Sequence, residues 1–141
     1  MRQSILATLL LVLSLSAQAG ALLLNDLKAQ NAIQLSVDEM KQLMPGAKVV
    51  NHTEIGNTRS WTNEPGGKFV ASSDNRATNS FPSNAQGTWH VADNGTYCVT
   101  LEWRTLSENW CRYIFRLGGK YYGVSSTSSG TTKASEFEFS K

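Results

Sequence analysis

The sequence predicts a mainly β, α+β fold: an antiparallel β-meander, or a small curved sheet or barrel, covered by a short N-terminal helix. Three observations predict it. From Lys48 onward apolar residues recur with period two, and glycine and asparagine punctuate the chain, which is the pattern of strands joined by turns. Four times a glycine, a spacer and an aromatic follow one another, in Gly67-Lys68-Phe69, Gly87-Thr88-Trp89, Gly95-Thr96-Tyr97 and Gly119-Lys120-Tyr121, so that each turn delivers a ring to a buried face as a strand begins. Ahead of this region one segment carries a helix start and stop of its own.

The first residues read as a secretory signal peptide, 1–19. Arg2 supplies the positive end, the apolar run 5–15 is too short to span a bilayer, and Ala17-Gln18-Ala19 gives the A-x-A cleavage pattern before Gly20, with a second acceptable site at Ala19-Gly20-Ala21, before Leu22. The chain is therefore expected in the periplasm or outside the cell after cleavage near Ala19, with no stable membrane insertion. Residues 20–34 mix three consecutive leucines with polar residues and lack clear caps, as a loose helix or a poorly ordered arm would. Residues 35–141 are expected to form a single β-rich domain, a usual size for one core.

Within that domain Ser36 and Glu39 are spaced as a capping box, Leu35 and Met40 as a hydrophobic staple, and Pro45-Gly46 as a stop. Met40, Leu43 and Met44 share one face of the resulting helix, which is expected to cover one side of the sheet. Strands are expected at 49–53, 58–62, 68–72, 88–91, 96–103, 110–117, 120–125 and 136–139. Two stretches break the alternation: 74–86, a long polar loop with Pro82, and 126–135, a Ser/Thr-rich connection expected to be mobile. In the last strand Phe137 and Phe139 alternate with Glu136 and Glu138, which suits buried rings and a charged, exposed edge.

A net charge of +2 with scattered charges gives no electrostatic footprint for nucleic acid or for an anionic membrane. The two cysteines, Cys98 and Cys111, are equidistant from the middle of 104–109, so a regular hairpin there sets them opposite each other, and an oxidising compartment favours a disulfide. Two thiols without C-x-x-C spacing and two isolated histidines, His52 and His90, do not make the four-ligand set of structural zinc.

The leucine-rich helix ending in Pro45-Gly46, then Gly87-Thr88-Trp89, Gly95, Tyr97-Cys98-Val99, Trp103, Trp110-Cys111-Arg112-Tyr113 and Tyr121-Tyr122-Gly123-Val124 resemble a bacterial envelope family catalogued as domain of unknown function number 995. The likeness runs from about Leu35 to Val124. It implies an exported β-rich domain with a paired-cysteine hairpin and carries no chemistry with it.

The residues themselves point away from catalysis. His90 beside Asp93 lacks the G-x-S-x-G turn that would present a nucleophile, and Glu54, Glu64, Glu102 and Glu108 would serve glycoside cleavage only as a pair across a cleft. The reading is non-enzymatic, with a motif-free hydrolase as the lesser alternative; no cofactor or metal is expected, and the oligomeric state stays open. Asn51-His52-Thr53 and Asn94-Gly95-Thr96 match the glycosylation sequon, but the resemblance to a bacterial family implies no role for it, and Asp93-Asn94-Gly95 is expected as a hairpin turn.

Two functions follow. One is a structural or protein-interaction role in the envelope, through strand edges or exposed aromatics, toward an unknown envelope protein. The other is a small-ligand carrier whose curved meander closes toward a lipocalin-like barrel around a pocket. An enclosed cavity would favour the carrier; a filled core with an uncovered apolar patch would favour the interaction protein. The local candidate surface comes from the hairpin register: Tyr97, Val99, Leu101 and Trp103 share a face with Trp110, Arg112, Ile114 and Arg116. An arginine on an apolar strand face must reach water, pair with a carboxylate such as Glu54 or Glu102, or hold an anionic ligand. Arg112 among Tyr97, Trp103 and Trp110 is thus the candidate anion-accepting pocket.

Overall fold

Antiparallel pairing dominates residues 21–141, which the structure, a computed structural model, describes; the expected signal peptide at 1–19 lies outside the described residues. In chain order the elements are α1 (Leu24–Ala29), β1 (Ile33–Gln34), α2 (Val37–Leu43), β2 (Lys48–His52), β3 (Thr58–Thr62), β4 (Lys68–Ser73), β5 (Ser83–Val91), β6 (Thr96–Trp103), β7 (Ser107–Leu117), β8 (Lys120–Val124) and β9 (Ala134–Ser140). The strands run in the order β1-β7-β6-β5-β4-β3-β2-β9-β8, and β8 pairs back onto β7. The sheet therefore closes on itself as an eight-stranded antiparallel barrel of β2 to β9, with β1 added beside β7. Between a meander, a curved sheet and a barrel, the barrel is the outcome.

Closure follows from β7. Its first half pairs with β6, from Ser107 opposite Glu102 to Tyr113 opposite Thr96, and its second half pairs with β8, from Tyr113 opposite Val124 to Leu117 opposite Lys120. Where β6 has ended, β1 takes its place, with Ile33 opposite Arg116 and Gln34 opposite Phe115. The ring is completed by β9, paired to β8 on one side and to β2 on the other. The final strand is therefore interior to the sheet rather than an exposed edge. Its faces are as expected: Phe137 is buried, and the outward Glu136 and Glu138 pair with Lys120 and His52.

Alternation sends one set of side chains inside. Val49, Trp61, Phe69, Ala71, Ala85, Tyr97, Val99, Leu101, Ile114 and Phe137 fill the barrel with Leu35, Met40 and Met44 from the region of α2. The rings of all four glycine-spacer-aromatic units, Phe69, Trp89, Tyr97 and Tyr121, belong to this cluster. The core is packed ring on ring: Trp61 stacks on Phe69 at 5.2 Å between centroids, Trp110 meets Phe137 at 6.1 Å, and Phe137 stacks on Phe139 at 5.5 Å. Toward the α2 end of this core a polar knot ties three parts of the chain together. The Tyr97 hydroxyl donates to Asn63 Oδ1 at 2.6 Å, Trp61 Nε1 donates to both, and Asn63 Nδ2 donates to the Met44 carbonyl.

The capping box forms as the spacing predicts, with Ser36 Oγ accepting from Glu39 N–H and Glu39 accepting from Ser36 N–H. Met40 and Met44 point into the barrel, and Asn63 anchors the carbonyl at the end of α2. The helix thus closes one end of the barrel, beside the turns at 63–67 and 92–95, instead of lying over a face of a sheet. The segment before it is a second small helix: α1 seats Leu24 and Leu27 against Phe115 and Val124 on the outside of β7 and β8. It is strapped to the 125–133 connection by Leu24 N–H to the Thr132 carbonyl and Asn25 N–H to the Gly130 carbonyl. That connection was expected to be mobile from composition; its backbone is instead paired with α1.

The strand β5 begins at Ser83, five residues before the expected start at 88. Ser83, Asn84 and Gln86 are polar and Ala85 small, but all four pair with β4, and Gly87 lies directly under Phe69, where a Cβ would approach the ring to 2.0 Å.

Candidate functional site

With α2 over one end, the opposite end is bounded by the β2–β3, β4–β5, β6–β7 and β8–β9 connections and is open. A concavity of about 270 Å³ sits there, lined by Asn51, Thr53, Glu54, Ile55, Arg59, Glu108, Trp110, Arg112, Ser135 and Phe137. Its floor is aromatic because Trp110 and Phe137, two rings of the packed core that meet each other, line it. Its charged wall arises because β3 and β7 each place an arginine at an inward position, Arg59 two residues before Trp61 and Arg112 two after Trp110.

The two guanidinium groups are held differently. Arg59 Nη1 pairs with Glu108 Oε1 at 2.9 Å and lies 5.0 Å from the Trp103 ring centroid, while Trp103 Nε1 donates to the other oxygen of Glu108. The Arg59 Nε is buried without a partner among the described residues. Arg112 has no ion pair among the described residues; it lies 5.0 Å over the Trp110 ring and donates from Nη1 to the Cys111 carbonyl at 2.9 Å. Burial lowers the Arg112 pKa from its ordinary value, and the fields of Glu54 and Glu108 act the other way. It remains a cation at any physiological pH, so of the two arginines and two glutamates at the mouth, Arg59 and Glu108 are in contact while Arg112 and Glu54 act on each other only through space.

The expected surface is thereby divided. Arg112 and Trp110 come together at the mouth, while Trp103 does not line it and packs behind Arg59 and Glu108. Tyr97 lies deeper, fully buried, its hydroxyl committed to Asn63. Arg116 is at the other end, in a separate depression with Leu35, Glu39, Gln42, Leu43, Tyr121 and Lys141. Of the carboxylates weighed as partners, Glu54 is at the mouth and Glu102 bonds Ser107 outside it. Arg59 was not singled out from the sequence, although Thr58-Arg59-Ser60-Trp61 puts it on the same face as a buried tryptophan.

Cys98 and Cys111 face each other in the β6–β7 ladder and are disulfide-bonded. His90 is exposed on β5, away from the mouth. Among the described residues no group of three or more His, Cys, Asp or Glu side chains is placed to hold a metal ion, and no helix is long and apolar enough to cross a membrane.

A larger and more open depression, about 700 Å³, runs along the outside of β3 and β4. These strands pair only at Arg59 opposite Ser73 and Ser60 opposite Ser72, then separate over Trp61 and Phe69. Its charged groups, Lys48, Glu64 and Lys68, are all exposed, so nothing in it resembles the desolvated guanidinium of the mouth.

Residues 9–111 match the family described as protein of unknown function (DUF995). The chain belongs to that family. The span starts earlier and ends earlier than the motifs from 35 to 124 suggested, so Arg112-Tyr113 and Tyr121-Tyr122-Gly123-Val124 lie beyond it. For a DUF995 chain, then, Arg59, Glu108 and Trp110 fall inside the family span and Arg112 one residue outside. No curated protein and no solved structure matches the chain.

Proposed function

We propose that this DUF995 chain is an exported small-ligand-binding barrel whose open end holds a compact anion such as a carboxylate. The observation that carries the reading is Arg112: a half-buried guanidinium, stacked on Trp110, that lines a concavity and has no ion pair of its own. Half-burying a cation with no carboxylate in contact is costly, and a ligand anion that displaces the distant Glu54 as its counter-ion would offset that cost. The filled interior confines the ligand to the mouth and distinguishes this site from the deep pocket of a lipocalin.

Titration with sodium acetate, followed through the Trp110 indole and Arg112 guanidinium resonances, tests this. Saturable shifts are expected in the wild type. Arg112→Gln should weaken binding by about tenfold or more, the usual loss for a charge-assisted bond. Glu54→Gln, which removes the competing carboxylate, should strengthen it. Shifts that survive Arg112→Gln unchanged would remove the basis of the reading.

The interaction role rests on a different observation, the seam where the β3–β4 ladder stops over an apolar floor. It calls for an extended partner segment at Thr62 and Val70. Joining those positions through a Thr62→Cys/Val70→Cys disulfide would block such a partner and leave acetate binding intact.

A further inference from the structure

The loops at the open end carry side chains that a surface loop ordinarily lacks. Among the described residues five large hydrophobics are exposed, and three of them are Ile55 at 67 %, Phe81 at 93 % and Leu106 at 60 %. A single exposed apolar residue needs no explanation. These three stand on three successive hairpin connections, β2–β3, β4–β5 and β6–β7, all at the same end of the barrel. The loops are fixed rather than loose. Asn75 Nδ2 donates to the Phe81 carbonyl at 2.8 Å, Asn57 Oδ1 accepts from Ala77 N–H at 2.8 Å between neighbouring loops, and Trp103 N–H donates to the Leu106 carbonyl at 2.8 Å. Apolar side chains are thus held on the loops at the open end, Ile55 lining the mouth itself, where Arg112 has no carboxylate in contact.

We propose that the ligand of this mouth is an amphiphile: one anionic head, a carboxylate or phosphate, at Arg112, on an apolar body that leaves the mouth across Ile55 and onto Leu106 and Phe81. This rests on the reading that the mouth takes an anion and names the class of molecule that brings it. The size of the recess argues for it. A volume of about 270 Å³ has room for roughly nine waters, enough for a head and a short stem, so the remainder of a longer molecule lies on the rim. The lining is mixed in the same sense: Ile55, Trp110 and Phe137 offer apolar surface beside Arg112 and Arg59, with Glu54 and Glu108 as the carboxylates among them. A purely hydrophilic anion would gain nothing from the apolar part. A bilayer fits less well than a free molecule, because Arg112 is recessed below the rim, and a net charge of +2 draws the chain only weakly to an anionic surface.

The test is a titration of the full exported chain with sodium acetate, butanoate, hexanoate and octanoate, each below its micelle concentration. Affinity should rise by roughly two- to fourfold per added methylene as the chain is covered. Phe81→Ser/Leu106→Ser, at two exposed loop positions outside the mouth, should flatten that rise and leave acetate binding as in the wild type. Equal affinities for acetate and octanoate would overturn the amphiphile while the anion reading stands. Octanoate binding that persists in Arg112→Gln would overturn the anion reading itself, and the absence of binding by either acid would overturn both. Binding to phosphatidylglycerol vesicles without binding to free octanoate would assign the rim to a bilayer and defeat the proposal.

Discussion

Arg112 and Tyr97 are opposite each other on neighbouring strands, yet burial uses them for different ends. Tyr97 has given its hydroxyl to the Asn63 knot, and desolvation raises its pKa far above that of a free phenol. In the unfolded chain the phenol ionises near pH 10, and in the folded chain it stays neutral to higher pH. The sign follows directly: its contribution is complete below about pH 10 and is lost as the pH rises through the folded value. Tyr97→Phe leaves Asn63 Oδ1 with one donor, from Trp61, and should cost about 1–2 kcal/mol in urea unfolding at pH 7. It should also remove part of the alkaline loss of stability. An unchanged alkaline limb in this variant would show that other groups govern it. Arg112 was legible in the sequence because the two cysteines fix the hairpin register and hence its face. Arg59 has no such marker, and its importance depends on Glu108 and Trp103, which come from strands distant in the chain.

At the scale of elements, the turns announced themselves and the pairings that need a missing side chain did not. The capping box of α2 and the ends of β3 and β6 agree with their local signals because caps and glycine turns act over three or four residues. The first half of β5 escaped notice because Ser83, Asn84 and Gln86 lack strand propensity. What holds them is β4, and what allows the close approach is the absence of a Cβ at Gly87. Gly87→Ala would place a methyl group against the Phe69 ring, displacing it from its stack on Trp61, and should cost about 1–3 kcal/mol. Phe69→Leu in the same background should recover part of that loss, since the smaller side chain vacates the space. Additive costs in the double variant would mean that the two positions do not meet. The role of α2 was only half readable: its apolar face is written in the sequence, but whether that face meets the side of a sheet or the end of a barrel depends on closure.

Closure belongs to the whole molecule and has no local signature, since it joins β2 to β9 across most of the chain. Val49 pairs with Phe139 and Lys48 with Ser140. The alternation of residues 136–139 reports which face is buried but not how many neighbours the strand has, and so an edge strand was the natural reading of its two glutamates. This long-range seam also orders events in time. A chain emerging N-terminus first can form the hairpins from β2 to β8 as they appear, but β2 and β8 remain open edges until the last residues arrive. Ending the chain at Lys133 should therefore leave a species that retains the β6–β7 hairpin and its disulfide yet self-associates through its open edges, visible by light scattering. A monomeric truncated chain with wild-type thermal stability would show that β9 is dispensable. During synthesis this arrangement acts as a timer: the polypeptide stays an unlatched ribbon until its C-terminus is free to lock the cylinder shut.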